Sequence, residues 1–403
     1  MKKISERLAV SEVVINFASQ LYPVYNHTMT STFINMRSFK TTILLLAICL
    51  TAAANDGVYY VNGSQLTPIS ETDISCAKEV LSIDICDDGF ARVDVQYVFM
   101  NNGAAKTIDM GFEASAPYND DSEFNPNGGH PHIFDFTVNL NGKTLSYTNS
   151  IVRMDSNFET LDPNKWKVDT EADGFQLVNT STKESVEYAY AYVFKAHFNP
   201  GKNTIHHTYR YRMSHGVGRT FEVPYWLLPA KRWANHQIDD FTLRISTPTW
   251  KQFLIEDNVF EGAQFRIVAG KGKIRHAPYK DIESHTEIAL KNGTVEWHKT
   301  NFDPKDNFNI NSSDIYCMFN DNYRLGDYYD RSDTYVPTWN PEDTAQEKRI
   351  LRNLPYANRG YVFKDKGLRE YFSNIWWYMP DPSWKQDTSD FTKKEWELVN
   401  QGK

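Results

Sequence analysis

Four cysteines in 403 residues, with no Cys-x-x-Cys pair, remove sequence support for a zinc knuckle or a dithiol redox site. Long apolar runs are missing too. The most apolar stretch, from Ile43 to Leu50 and its flanks, is roughly 12 residues, against the roughly 20 that a membrane-spanning helix needs, so no transmembrane anchor is expected. Basic runs are absent, and residues 55–403 carry 38 basic against 49 acidic side chains, a net charge of about −11. Such a chain repels phosphate backbones, which speaks against nucleic-acid binding. There is no Gly-x-Ser-x-Gly elbow, no cysteine in a papain-like setting and no EF-hand spacing in the acidic run at residues 119–124. Cofactor motifs are likewise missing, and no cofactor is expected. Paired carboxylates of a glycosidase leave no local trace, because they meet only in three dimensions.

What is present begins with an export signal. From Met36, Arg37 and Lys40 form a basic segment, Ile43 to Leu50 an apolar one, and Ala52 and Ala54 an Ala-x-Ala site before Asn55. The expected cleavage follows Ala54, giving residues 36–54 as a signal peptide and residues 1–35 as a misassigned upstream start. An exported chain meets an oxidising compartment. Cys76 and Cys86 are near enough in sequence to close a short disulfide loop there, if their geometry permits; Cys317 is left over.

From Asn55 to Asn340 the dominant period is two. Val93, Val95, Tyr97 and Phe99 alternate with Arg92, Asp94 and Gln96, and Val186, Tyr188, Tyr190, Tyr192 and Phe194 share a face. Phe134, Phe136, Val138 and Leu140 lead into Asn141-Gly142, a pair suited to a two-residue hairpin. Further turns are expected at residues 199–203, 269–273 and 291–293. Short strands at this spacing predict an antiparallel β-sandwich body, residues 55–340 with room for two subdomains, with no βαβ rhythm. The stretches "FNPGKNTIHHTYRYRMSHGVG" and "EVPYWLLPAKRWANHQIDDFTLRIS" resemble an exported bacterial domain family of unassigned function. That likeness implies a β-sandwich in the envelope and no chemistry.

Beyond Asp343 the period becomes helical. Ile350, Leu351 and Leu354 share a helix face that Pro355 stops or bends, Leu368 meets Tyr371 and Phe372, and Thr392 with Glu395 reads as a capping box stapled by Phe391 on Trp396. Tyr356, Ala357, Asn358, Arg359 and Gly360, followed by "YVFKDKGLREYF" and "WWYMPDPSW", resemble the YARHG domain of secreted bacterial proteins. Asn358 and Arg359 stand where the motif has Arg and His. The resemblance implies a small all-α C-terminal domain over residues 343–403, in a protein that is otherwise mainly β, acting at the cell wall.

The span 353–384 is crowded with aromatic rings. In a domain of roughly 60 residues most must be core, and Tyr361, Phe363, Phe372 and Trp396 are assigned there. Trp376 and Trp377 are adjacent and point apart, so one is expected outside; with Tyr356, Tyr378 and Trp384 it would stack on a sugar ring or a peptide. Arg359, beside Asn358, offers a planar fork for a carboxylate, against the plainer reading of a pair with Asp365 or Glu370. The tail has 11 basic and 9 acidic residues, a slight positive excess that suits an anionic polymer. His206 and His207 lie on opposite strand faces and cannot share a metal ion, whereas His130 and His132 share a face without a nearby acidic ligand. The expected function is non-catalytic: an exported envelope protein whose tail binds a cell-wall glycan or peptide such as peptidoglycan. The alternatives are a secreted hydrolase with its site in the sandwich, and protein assembly through an unpaired sheet edge.

Overall fold

Alternating side chains build strands in the computed structural model, which describes residues 63–401 except 65, 70–72, 117–127, 155–158, 170–175, 217–218, 258, 262–263, 278–283, 314–323, 330 and 332–340. The export signal, residues 1–35, Cys317 and the acidic run at 119–124 lie outside the described residues. Ten strands are eight residues or longer: β1 Ile74–Ile85, β2 Phe90–Asn101, β3 Lys106–Ser115, β4 Ile133–Leu140, β5 Ser185–Phe198, β6 Gly201–Arg212, β7 Arg219–Trp226, β8 Ile238–Glu256, β9 Arg266–Ala277 and β10 His285–Phe302.

Two sheets form. The larger runs β8-β1-β2-β6-β4 through its centre, with β10 on the other side of β8 and β9 outside β10; the smaller is built on β3 and β5. Val93, Val95, Tyr97 and Phe99 of β2 are buried in one cluster with Met110, Phe112, Tyr192, Phe194 and Phe198 of the smaller sheet. Phe99 meets Phe198 edge-on at 5.8 Å between ring centroids. This inter-sheet layer is the sandwich core, and its burial is the main source of stability.

Four details depart from expectation. The pairing is not wholly antiparallel: β1 runs parallel to β8, with Ile83 opposite Ile245. Residues 269–273 and 291–293 are not turns; they lie inside β9 and β10 as bulges, because glycine and asparagine supply the same positive φ to a bulge as to a turn. The Asn141-Gly142 hairpin does form, with Asn141 at φ 51°, whereas the turn at 199–201 carries the chain from one sheet to the other. Finally, Cys76 and Cys86 are both free thiols. An extended strand separates them by roughly 30 Å, at about 3.3 Å per residue, so a bridge cannot close.

Three α-helices are described, all near the C-terminus: α1 Ala345–Asn358, α2 Lys366–Ser373 and α3 Lys393–Asn400. Each starts at a polar cap. Thr344 and Thr392 make capping boxes with Glu347 and Glu395, and Asp365 caps α2 through the Leu368 amide. Pro355 does not stop α1, which continues for three residues to Asn358.

Candidate functional site

The tail rests on the long β8–β9–β10 ribbon, and its irregular segments are what the ribbon holds. Lys273 Nζ donates to the carbonyls of Trp376 at 2.8 Å and Tyr378 at 2.7 Å, and Lys291 Nζ to that of Arg359 at 3.2 Å. Lys271 pairs with Asp381 at 2.7 Å, and this contact, with Ser383, holds the Asp381 carboxyl well below the usual carboxylate range. Burial lowers the Lys273 and Lys291 ammonium groups. Apolar contact completes the docking: Trp250 and Ala289 of the ribbon belong to the same buried cluster as Leu351, Leu354, Phe363, Phe372 and Trp377.

The tryptophan pair belongs to this docking. Trp377 is 0% exposed, donates its indole N–H to the Gly326 carbonyl at 2.8 Å and lies 5.3 Å from Trp250, centre to centre. Trp376 is half-buried with the Arg275 guanidinium 4.3 Å over its ring. Tyr378 is buried and donates to the Tyr361 carbonyl at 2.6 Å.

Arg359 is 2% exposed, and its fork is filled from within the tail. Its Nη1 and Nη2 reach the two oxygens of Glu395 at 2.8 Å each, its Nε reaches Asp390 at 2.7 Å, and its guanidinium lies 4.1 Å over the Phe391 ring. Glu395 is 0% exposed and also accepts from the Tyr329 hydroxyl and the Thr392 amide. Thus one carboxylate caps α3 and locks it to the end of α1. Asn358, 4% exposed, accepts from Arg331 Nε at 2.7 Å, and Arg331 in turn reaches Asp390. The partners are not the Asp365 or Glu370 suggested by sequence proximity: Asp365 pairs with Arg349. Gly360, at φ 90°, lets residues 379–381 pass so closely that a Cβ would lie 2.7 Å from the Met379 carbonyl.

On the tail's surface a row of rings remains. Tyr361 meets Trp384 at 6.0 Å, Trp384 meets Tyr356 at 6.4 Å, Tyr356 meets Phe391 at 5.1 Å and Phe391 meets Trp396 at 5.2 Å. Tyr356, Tyr361 and Trp384 are half-buried, Phe391 forms the floor, and Trp396 is 38% exposed. Trp396 therefore is not core; its staple contact covers one side and leaves the other to solvent. Of the six residues singled out in sequence, the structure brings Tyr356 and Trp384 together on this ledge. Asn358 and Arg359 lie beneath it, and Trp376 and Trp377 lie at the ribbon. Trp396 and Tyr361 join the ledge from positions assigned to the core. The capping box could have signalled Trp396, since it fixes which side of α3 faces outward.

The histidines hold no metal arrangement among the described residues, where no three His, Cys, Asp or Glu side chains converge. His130 contacts the Ser115 carbonyl at 3.0 Å, and its own Nδ1 accepts from the His132 amide. His206 pairs with Asp94 on the surface, and His207 is enclosed on the opposite face. Among the described residues no helix is long and apolar enough to cross a membrane.

Comparison with known proteins places a YARHG domain at residues 324–403, a domain of exported proteins. This match starts before α1 and takes in Leu325 and Tyr329, which pack under the helices. No curated protein matches the chain. Among solved structures, a candidate nutrient-binding protein from Legionella pneumophila is 20% identical, covering 87% of this chain and 100% of its own, with a TM-score of 0.47. An M1 zinc metallopeptidase from Deinococcus radiodurans is 8% identical over 57% of this chain and 43% of its own, with a TM-score of 0.22.

Proposed function

We propose that this chain, ending in a YARHG domain, is an exported, non-catalytic envelope protein that attaches to a cell-wall or surface glycan such as peptidoglycan through the ledge of Tyr356, Tyr361, Trp384 and Trp396. The observation that carries this reading is the contiguity of these half-exposed rings on a rigid base. Aromatic faces with a polar N–H or O–H at the rim suit the alternating apolar and hydroxylated faces of sugars. Their base is fixed because Arg359 and Glu395 lock α3 to α1 directly below, so little ordering is left to binding. Trp376, Trp377, Asn358 and Arg359 contribute support in this reading, and Lys385 and Lys394 near the ledge supply positive charge.

The test is co-sedimentation of the full chain with purified sacculi. Trp384→Ala and Trp396→Ala are each expected to weaken retention about tenfold, the effect of losing about 1.4 kcal/mol at a ring contact. Val362→Ala, at a 42% exposed position outside the row of rings, serves as the control. Equal retention of all four proteins removes the proposal.

A further inference from the structure

The end of α1 gathers hydrogen-bond donors and leaves one of them without an acceptor. Arginine only donates, so the Asn358 atom that meets Arg331 Nε at 2.7 Å must be the oxygen, and this fixes which way the amide points. Its Nδ2 is then a donor on a side chain only 4% exposed, and it finds no partner. A donor enclosed in this way carries its full desolvation cost with nothing to offset it.

The groups around Asn358 are short of acceptors too. Arg331, its side chain 15% exposed, spends Nε on Asn358 and reaches Asp390 through Nη1 at 3.3 Å, while its Nη2 has no partner among the described residues. At the next residue, Lys291 of β10 donates to the Arg359 carbonyl at 3.2 Å and makes no ion pair among the described residues. An ammonium has three hydrogens, and this bond uses one. Asp390 is already engaged by Arg359 Nε at 2.7 Å, and Glu395 is closed on the Arg359 fork. Three cations thus share two carboxylates. Burial, with Arg331 and Lys271 adding to it, lowers the Lys291 ammonium, and Asp381 offsets only part of this.

Attraction to the carbonyl end of a helix explains a cation beside α1. It does not explain Asn358 Nδ2, a further donor set beside two cations with no acceptor for any surplus hydrogen. What the three side chains lack is one compact, negatively charged group with several lone pairs. A halide supplies charge at a single point, and a carboxylate brings a carbon chain into a place where the flanking side chains are 15% and 4% exposed. A tetrahedral oxyanion presents oxygens in several directions to donors that arrive from a strand, a loop and a helix end. We propose that a free oxyanion of the phosphate class binds at Lys291, Arg331 and Asn358, accepting from all three and tying ribbon to tail. The assignment does not rest on the ledge.

Calorimetric titration of the full chain with inorganic phosphate at fixed ionic strength is expected to saturate. Lys291→Gln keeps a donor for the Arg359 carbonyl and loses the charge, so it should weaken phosphate about tenfold. Asn358→Asp builds a carboxylate into the same place. It should abolish the titration and, in phosphate-free buffer, raise the melting temperature, because the chain then carries the missing counter-charge itself. Glycerol 3-phosphate should bind about tenfold more weakly than the free ion, since its alcohol has to be accommodated as well. Trp384→Ala should titrate as wild type while sedimenting less with sacculi, so the two readings fail separately. Absence of saturation with phosphate, as a lone water at Asn358 would give, wild-type affinity in either Lys291→Gln or Asn358→Asp, or a monoester that binds as tightly as phosphate overturns the assignment.

Discussion

Arg359→Ala is expected to lower the unfolding free energy by about 3–5 kcal/mol, the usual cost of leaving one member of a buried ion pair without its partner. The guanidinium is enclosed, and its removal strands Glu395, a carboxylate with 0% exposure whose remaining support is the Tyr329 hydroxyl and the capping amide. Arg359→Lys keeps the charge but cannot make the two parallel contacts, so it should fall between alanine and wild type. A buried ion pair often adds nothing over apolar packing of the same shape, and on that basis Arg359→Met with Glu395→Leu is expected to recover much of the loss. Urea midpoints of wild type, Arg359→Met, Glu395→Leu and the double variant form the double-mutant cycle. A loss under about 1 kcal/mol for Arg359→Ala would show that the fork is not what holds α1 to α3.

The second large effect is acid lability centred on His207. Its ring sits among Tyr97, Phe112, Phe136 and Tyr209 at 5.5–6.0 Å centre to centre, with His206 the next residue in the strand. Neither ring nitrogen finds a hydrogen-bond partner among the described residues. Burial, with His206 adding to it, pushes the imidazole down to about 3, and burial with His132 does the same to His130. The folded state thus refuses a proton that the unfolded chain takes up below about 6.5. Stability is fully present above that pH and drains away as pH falls towards 3, by about 1.4 kcal/mol per pH unit for each such histidine. Between pH 6.5 and 5 most carboxylates of the unfolded chain are still ionised, so histidine dominates that window.

His207→Phe should lose about 2 kcal/mol less than wild type from pH 6.5 to 5. At pH 7 it should be at least as stable, because two unpartnered polar atoms leave a ring-lined site. Denaturation curves at the two pH values decide the matter, and parallel losses in both proteins would refute it.

Sequence reasoning reached the local features and stopped at those made by distant residues. The capping box at Thr392, the α2 helix and the Asn141 hairpin were legible because all their determinants lie within a few residues. Arg359 was visible as an unusual side chain, yet its partner Glu395 is 36 residues away and already explained by its role at the helix cap. The segments at 269–273 and 291–293 carried a correct conformational signal and the wrong context, since positive φ serves a bulge as well as a turn. Trp376 and Trp377 looked like a gripping surface because their receiving ribbon, with Trp250 and Arg275, is contributed by another part of the chain. The ledge depends on which side of each ring is covered, which spacing alone does not encode.

Lys273 and Lys291 of the ribbon touch the tail through peptide carbonyl groups at Trp376, Tyr378 and Arg359. Every amino acid presents the same oxygen there, so substitutions in those tail residues leave this part of the seam chemically intact. The two sides of these three bonds are therefore unequal: a side-chain change in the tail leaves the acceptor oxygen in place, whatever else it costs, whereas loss of Lys273 or Lys291 from the ribbon removes the donor itself.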